Sequence, residues 1–144
     1  MPQGKQSEAG LSANAVATRH INDAVRAFTL NFGDANAEIG KAREADSGCV
    51  IADLLQAWIL TLSNDSAQLA RAHVLLANVN EARLTDREGQ NRAALRLAAK
   101  GRWPSAVAVL DRHLMDDPYD LAAHQCALRL DGYLGRFHRE AARA

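Results

Sequence analysis

The 144-residue sequence predicts an all-α fold, and its composition, its helix-end signals and an internal spacing each support that prediction. Alanine and leucine contribute 29 and 18 residues, whereas isoleucine, valine and threonine together contribute only 15. Alanine and leucine lose little conformational freedom in a helix, while β-branched residues lose more. The composition therefore favours helices and argues against a β-sandwich, a β-barrel or a parallel sheet.

Helix-end signals divide the first half of the chain. Ile21, Val25 and Phe28 form the apolar stripe of an amphipathic helix, which Gly33 can end as a left-handed cap. Asp34 is a suitable N-cap for the helix that follows. The third stretch is apolar nearly all round, which is typical of a buried helix. The helices predicted here lie over about residues 14–30, 35–45, 49–62 and 66–79.

The second half of the chain carries the clearest start signal. Thr85 and Glu88 have the spacing of a capping box, in which each side chain accepts a hydrogen bond from the backbone amide of the other residue. That helix stops at Gly101, and Pro104 follows in the first turn of the next helix, where no amide is required. Asp120 can cap a final long helix. Helices are thus predicted over about residues 85–100, 104–116 and 121–134, and another can begin within 137–144.

A spacing of 34 residues recurs in the chain. It separates Gly101 from Gly135 and Trp103 from Phe137, and Ala106 also has an alanine one period upstream. Thirty-four residues is the tetratricopeptide period, in which each unit is a helical hairpin. The spacing predicts a TPR-like α-solenoid of about three antiparallel helical hairpins, with small alanines where helices cross closely. The alternative is an Ala-rich helical bundle without that repeat.

The chain also resembles one particular family. The stretch LTDRE at residues 84–88, the turn at Gly101, DPYDLA at 117–122 and YLG at 133–135 are similar to the N-terminal part of the tetratricopeptide-repeat protein 38 family. The resemblance covers about residues 16–135 and implies an α-helical repeat protein of poorly defined biochemical role. It does not imply an enzyme of known substrate. Family members are longer, and Leu128 stands where the resemblance implies a histidine.

Charge and hydropathy argue against several classes of protein. The 17 basic and 17 acidic residues give a formal net charge of zero at pH 7, so no attraction to nucleic acid or to an anionic membrane is expected. The longest apolar stretch is too short to span a bilayer. Residues 1–12 lack the apolar core of a secretory signal and are predicted to be a disordered lead-in to a helical domain over 13–144. With two widely spaced cysteines, the sequence favours a cytoplasmic protein with reduced thiols.

The sequence predicts no catalytic, cofactor or metal site. Neither a G-x-S-x-G nucleophile motif nor a glycine-rich phosphate loop occurs. Zinc needs three or four converging ligands, whereas His124 and Cys126 are two positions apart on one helix and point in different directions. Asp116 and Asp117 precede a proline at a helix end, as solvated turn residues do. We therefore expect a protein that is not an enzyme and that uses neither a cofactor nor a metal.

In a tetratricopeptide array the first helix of each hairpin lines a concave groove, and we expect this groove to bind a protein or peptide partner. Arg92 and Arg129 are candidate charged anchors, because a guanidinium group pairs with a carboxylate through two hydrogen bonds. The alternative for the arginine-rich stretch 83–102 is a solvated face with local pairs to Asp86 and Glu88. The candidate groove residues are Trp58, Asn91, Arg92, Leu95, Gln125, Arg129 and Tyr133.

The sequence thus predicts a non-enzymatic protein–protein interaction module that acts as a scaffold or adaptor. The alternative is a small-molecule-binding or enzyme-accessory helical protein, acting as a homodimer in one version of that hypothesis. Self-association has its own argument in the last helix. That helix keeps Leu128, Leu130 and Leu134, and little of the chain follows to cover them.

Overall fold

The computed structural model describes residues 13–30 and 33–135, and these residues form seven α-helices and one 3₁₀ turn. The helices are α1 (Ala15–Leu30), α2 (Ala35–Ala45), α3 (Val50–Thr61), α4 (Ser66–Ala77), α5 (Asp86–Ala99), α6 (Trp103–Asp116) and α7 (Leu121–Tyr133). The 3₁₀ turn, Glu81–Arg83, lies between α4 and α5. Within the described ranges no residue belongs to a strand, so the all-α prediction is confirmed.

The helices begin at the capping residues that the sequence predicts. Asp34 and Asp120 each accept a hydrogen bond from the backbone amide three residues later. The capping box is present in both directions: the Thr85 hydroxyl accepts from the Glu88 amide, and the Glu88 carboxylate accepts from the Thr85 amide, each at 3.2 Å. Each satisfied cap contributes about 1 kcal/mol to helix stability, because the first-turn amides have no partner inside the helix.

Three of the described helices are followed by a glycine in the left-handed region. Gly33, Gly101 and Gly135 have φ angles of 84°, 77° and 73°, where a Cβ atom is unfavourable. Gly101 follows α5 and reverses the chain into α6, which carries Pro104 in its first turn. The short connections that result make consecutive helices antiparallel neighbours.

Consecutive helices pack as three hairpins, α1–α2, α3–α4 and α5–α6, and α7 packs on α6. Helix α3 contacts α1, α2, α4 and α5, which explains why its sequence is apolar nearly all round. Ala72 on α4 and Ala106 on α6 have no exposed surface, as expected of alanines between closely packed helices. The hairpin composition of the fold therefore agrees with the sequence analysis.

The last described helix returns to the first. The guanidinium of Arg129 on α7 donates to the backbone carbonyl oxygen of Phe28 on α1 at 3.3 Å, and the Tyr133 hydroxyl donates to the carbonyl oxygen of Leu62 at 2.5 Å. In a linear stack of repeats, each unit contacts only its neighbours. The contact between α7 and α1 is thus an additional feature that a 34-residue spacing does not predict.

The apolar face of α7 is covered more fully than the sequence indicates. Leu130 has no exposed surface, and Leu128 and Leu134 are half-buried. The expectation that these leucines are left uncovered is therefore wrong for Leu130, because α7 packs against both α6 and α1.

Some predictions concern residues outside the described ranges. The lead-in at 1–12, Phe137 and the helix predicted within 137–144 all lie there. Among the helices that are described, none combines the length and the apolar character required to cross a bilayer.

Candidate functional site

A cavity of about 440 Å³ lies between α1, α3, α5, the turn that joins α6 to α7 and the first residues of α7. Its apolar wall comes from α1 and α3, whose contributions include Ile21, Val25, Leu54, Leu55 and Trp58. The first helices of the three hairpins therefore meet here, and α2, α4 and α6 lie outside the lining. A volume of this size is within the range of roughly 300–1,000 Å³ that is usual for small-ligand sites.

The polar end of the cavity is organised around Asp120. This carboxylate is 7% exposed and accepts hydrogen bonds from His113 at 2.8 Å, from Asn91 at 3.3 Å and from the Ala123 amide at 3.1 Å. Burial by itself raises the pKa of Asp120, but the hydrogen bonds from His113 and Ala123 and the nearby Arg87 charge outweigh it. The pKa of Asp120 is therefore held below its ordinary value.

Arg87 and Glu88 complete this polar end from the first turn of α5. The Nε atom of Arg87 lies 2.5 Å from Asp117 and 3.7 Å from Asp120, so its positive charge faces two carboxylates of the α6–α7 turn. Glu88 is fully buried and caps α5 through the amide of Thr85. The pairing of Arg87 with Asp117 reaches across to another part of the chain, whereas the local pairs considered from the sequence were to Asp86 and Glu88.

Two large apolar side chains stand at the mouth of the cavity. Tyr119 is 89% exposed and Leu121 is 58% exposed, and both belong to the cavity lining. Arg26 and Asn22, which are also exposed, contribute to the lining from α1. The mouth therefore presents apolar surface to solvent beside polar groups, while the interior is mainly apolar.

Two of the seven candidate groove residues lie in this cavity, namely Trp58 and Asn91. Leu95 has no exposed surface and belongs to the hydrophobic core. Arg92 and Gln125 are half-buried and are not part of the cavity lining. The structure thus brings together Trp58 of α3 and Asn91 of α5 but not the other five candidates.

The two α7 candidates make structural contacts instead. The guanidinium of Arg129 lies 4.5 Å from the centroid of the Phe28 ring, and the Tyr133 ring lies 5.3 Å from that of Trp103. Together with the hydrogen bond from Tyr133 to Leu62, these contacts fasten α7 to α1 and to the end of α3. The charged anchor expected at Arg129 is therefore already engaged within the chain.

Several lining residues escape sequence reasoning. Ile21 and Val25 have a visible signal, the amphipathic stripe of α1, but a stripe alone does not distinguish a core face from a cavity wall. Tyr119 and Leu121 flank a residue whose only local signal is that of an N-cap, Asp120. Their position at the cavity mouth depends on how α7 returns to α1.

Two groups of three side chains have ligand-type atoms within 4.8 Å of one another in the described part of the chain: His113, Asp117 and Asp120; and His20, Asp23 and Glu38. In the first group, the Arg87 guanidinium already faces both carboxylates. In the second, Glu38 forms an ion pair with Lys41 at 3.1 Å and a hydrogen bond with His20 at 2.9 Å. In each group a positively charged side chain, Arg87 or Lys41, already lies beside the carboxylates and repels a metal ion. We therefore interpret both clusters as ion-pair networks.

Both cysteines are buried in the hydrophobic core. Cys49 is 3% exposed and Cys126 has no exposed surface. Burial raises the pKa of both thiols, that of Cys126 strongly, which keeps them protonated. Both side chains therefore act as small packing residues of the core.

Neither a family model nor a curated protein nor a solved structure matches this chain. The resemblance to the tetratricopeptide-repeat protein 38 family accordingly stays a prediction from the sequence. What the described residues establish is an all-α protein of packed helical hairpins with a cavity between the first helices of those hairpins.

Proposed function

We propose that this chain is a non-enzymatic, TPR-like interaction module and that an apolar segment of a protein partner docks over the mouth of the cavity. The observation that carries this proposal is the pair of exposed apolar side chains, Tyr119 and Leu121, at the opening of an apolar cavity. Tyrosine is enriched at protein interfaces because its ring buries a large area while its hydroxyl remains able to form hydrogen bonds.

The chemistry of the polar end supports a binding role over a catalytic one. A general acid or base works best when its pKa lies near the operating pH. The pKa of Asp120 is instead lowered, and its carboxylate is occupied by His113 and Asn91. Arg87 is likewise occupied by Asp117. Such groups hold the α6–α7 turn on α5 and so keep the mouth of the cavity in place.

Site-specific cross-linking tests where a partner docks. A photoreactive phenylalanine analogue is placed at Tyr119 in one variant and at Val74 in another. Val74 is a suitable control because it is 61% exposed on α4, outside the cavity lining. We expect the same protein to be captured repeatedly through position 119 and not through position 74. Equal capture at both positions contradicts the proposal.

A titration with the captured protein in purified form tests the chemistry. The double variant Tyr119→Ala/Leu121→Ala should weaken binding by roughly tenfold or more, as truncation of central apolar contacts does. The matched double variant Leu30→Ala/Val74→Ala also removes two exposed apolar side chains and should leave the affinity unchanged. If both variants bind as tightly as the wild type, the mouth of the cavity is not the docking site.

The second candidate function, binding of a small molecule, is favoured by the size of the cavity. Its volume of about 440 Å³ suits a small ligand, and its lining draws on α1, α3, α5, the α6–α7 turn and the start of α7. Self-association through the C-terminal helices is a third hypothesis. Light scattering after size-exclusion chromatography tests it directly, and a monomer at all concentrations would reject it.

A further inference from the structure

A hydrogen-bond acceptor without a partner belongs to a residue of the cavity wall. The side-chain nitrogen of Asn91 donates to the Asp120 carboxylate at 3.3 Å and to the backbone carbonyl oxygen of Arg87 at 3.4 Å. These two acceptors fix the orientation of the amide, because an amide oxygen in the place of the nitrogen would face two other oxygens. The amide oxygen, Oδ1, accepts no hydrogen bond from any residue that the structure describes.

The Oδ1 atom of Asn91 is accessible, unlike the indole nitrogen of Trp58. Both atoms lack a hydrogen-bond partner within the described part of the chain, but only the indole nitrogen is completely covered by protein. Asn91 is 7% exposed in total and borders the cavity, so its accessible surface belongs to the cavity wall. A molecule inside the cavity that carries a hydrogen-bond donor can therefore bond to this oxygen.

The charged groups of the cavity favour an uncharged occupant. The lining contains two basic and two acidic residues, namely Arg26, Arg87, Glu88 and Asp120. Arg87 faces the carboxylates of Asp117 and Asp120, and Arg26 lies 3.7 Å from Asp23. A charged ligand would lose its hydration on entry and would meet charges that already have partners in the chain. A hydroxyl group also donates a hydrogen bond, and it loses far less hydration.

We infer that the cavity binds a small, uncharged, largely apolar molecule that carries a hydroxyl group, and that this hydroxyl donates a hydrogen bond to Oδ1 of Asn91. The apolar body of the ligand lies against the wall from α1 and α3, which includes Ile21 and Leu54. The inference deepens the second candidate function and rests on it. It does not depend on the protein partner proposed for the mouth, because cross-linking at Tyr119 tests that partner separately.

A titration followed by nuclear magnetic resonance of the ¹³C,¹⁵N-labelled protein tests the inference. The probes are 1-phenylethanol, acetophenone and 1-phenylethylamine, which share one carbon skeleton and carry a hydroxyl, a carbonyl oxygen and, at pH 7, an ammonium group. We expect 1-phenylethanol to bind about fivefold more tightly than acetophenone, because only the hydroxyl donates to Oδ1. The alcohol should also bind more tightly than the amine, whose charge must be dehydrated. The ¹³C signal of the Asn91 side-chain carbonyl should shift to saturation with the alcohol.

The three affinities separate the parts of the inference. Acetophenone that binds as tightly as the alcohol overturns the role of Asn91, and an amine that binds more tightly overturns the preference for an uncharged ligand. If no probe binds saturably up to its solubility limit, the small-molecule hypothesis itself fails.

The variant Asn91→Leu removes the acceptor and should lower the affinity for the alcohol to that for acetophenone. A preference for the alcohol that persists in the folded variant overturns the assigned hydrogen bond. If the variant does not fold, the carbonyl signal of Asn91 in the wild-type protein decides, and an unchanged signal at saturation with the alcohol overturns it.

A matched pair of variants tests whether the probes bind in the cavity. Val25→Trp enlarges a half-buried side chain of the cavity wall and should weaken binding of 1-phenylethanol and acetophenone alike. Val74→Trp makes the same change on the exposed side of α4, outside the lining, and should leave both affinities intact. Unchanged binding in both variants shows that the probes bind elsewhere and overturns the assignment of the site.

Discussion

The guanidinium of Arg129 lies over the ring of Phe28, 4.5 Å from its centroid, and the same side chain donates to the backbone carbonyl oxygen of Phe28. The two residues are 101 positions apart and join the last described helix to the first. This contact, with the hydrogen bond from Tyr133 to Leu62, holds α7 across the ends of α1 and α3. The contact thus joins helices from the two ends of the described chain.

Replacing Arg129 should measurably weaken the fold. Arg129→Met keeps much of the apolar length of the side chain but removes the cation–π contact and the hydrogen bond to Phe28. We expect the free energy of unfolding to fall by about 1–2 kcal/mol, as measured by urea denaturation. Arg112→Met, at an exposed position of α6, is the matched control and should change stability little. Equal losses in both variants would show that the contact with Phe28 contributes nothing.

Acid should destabilise the protein through Asp120. The pKa of Asp120 is lowered in the folded state, so the carboxylate contributes its full stabilisation well above the ordinary Asp pKa of about 3.9. That contribution is lost as the pH falls through the ordinary value and then through the lower, folded-state value. Asp120→Asn should therefore flatten the fall in unfolding free energy between about pH 5 and pH 2, since Asn still caps α7 but cannot ionise.

Asp116→Asn is the control for the acid experiment, because Asp116 is an exposed carboxylate at the end of α6, four residues before Asp120. It should retain the wild-type dependence of stability on pH. If Asp120→Asn and the wild type lose stability in parallel as the pH falls, Asp120 is not the group responsible.

Removing the α5 capping box should lower stability by about 1 kcal/mol. Thr85→Ala removes the hydroxyl that accepts from the Glu88 amide, and the amide is left without that acceptor. Thr85→Ser keeps a hydroxyl and should restore most of the loss. Ser66→Ala, at an exposed first-turn position of α4, serves as the comparison and should be nearly neutral. Thermal unfolding followed by circular dichroism measures all three, and a Thr85→Ser variant no better than Thr85→Ala would argue against the cap.

Two glycine-to-alanine substitutions should change the free energy of unfolding in opposite directions. Gly101 has a φ of 77°, so Gly101→Ala forces a side chain into the left-handed region and should cost about 1–2 kcal/mol. Gly40 lies inside α2, and a Cβ atom added there would meet no neighbour within 4 Å. Gly40→Ala should therefore stabilise the protein by roughly 0.5–1 kcal/mol, because alanine favours the helix. Chemical denaturation of both variants checks the pair, and the same sign for both would be inconsistent with these backbone conformations.

Local sequence chemistry was sufficient for the helices. Helix ends depend on interactions between residues three or four positions apart. The capping box of Thr85 and Glu88 and the cap at Asp120 can therefore be predicted from the sequence alone. The same holds for the left-handed turn at Gly101. The short connections between the helices also predict that consecutive helices pair as antiparallel hairpins.

The candidate site was only partly accessible from the sequence. Trp58 and Asn91 lie in the cavity wall, where the first helices of the hairpins meet. Arg129 and Tyr133 were expected in a groove on the same argument, yet they hold α7 against Phe28 and Leu62. A repeat period determines which residues share a helix face, but it does not determine which distant helix covers that face.

The sequence by itself therefore determined that this protein is all-α, where its helices begin and end, and which helices form hairpins. Only the tertiary structure decided that α7 returns to α1 and that Tyr119 and Leu121 stand at the mouth of a cavity. It also decided that His113 and Asn91 both form hydrogen bonds with the carboxylate of Asp120. The reason is physical: capping and helix propensity act within a few residues, whereas packing between distant helices depends on the shape and burial of all of them together.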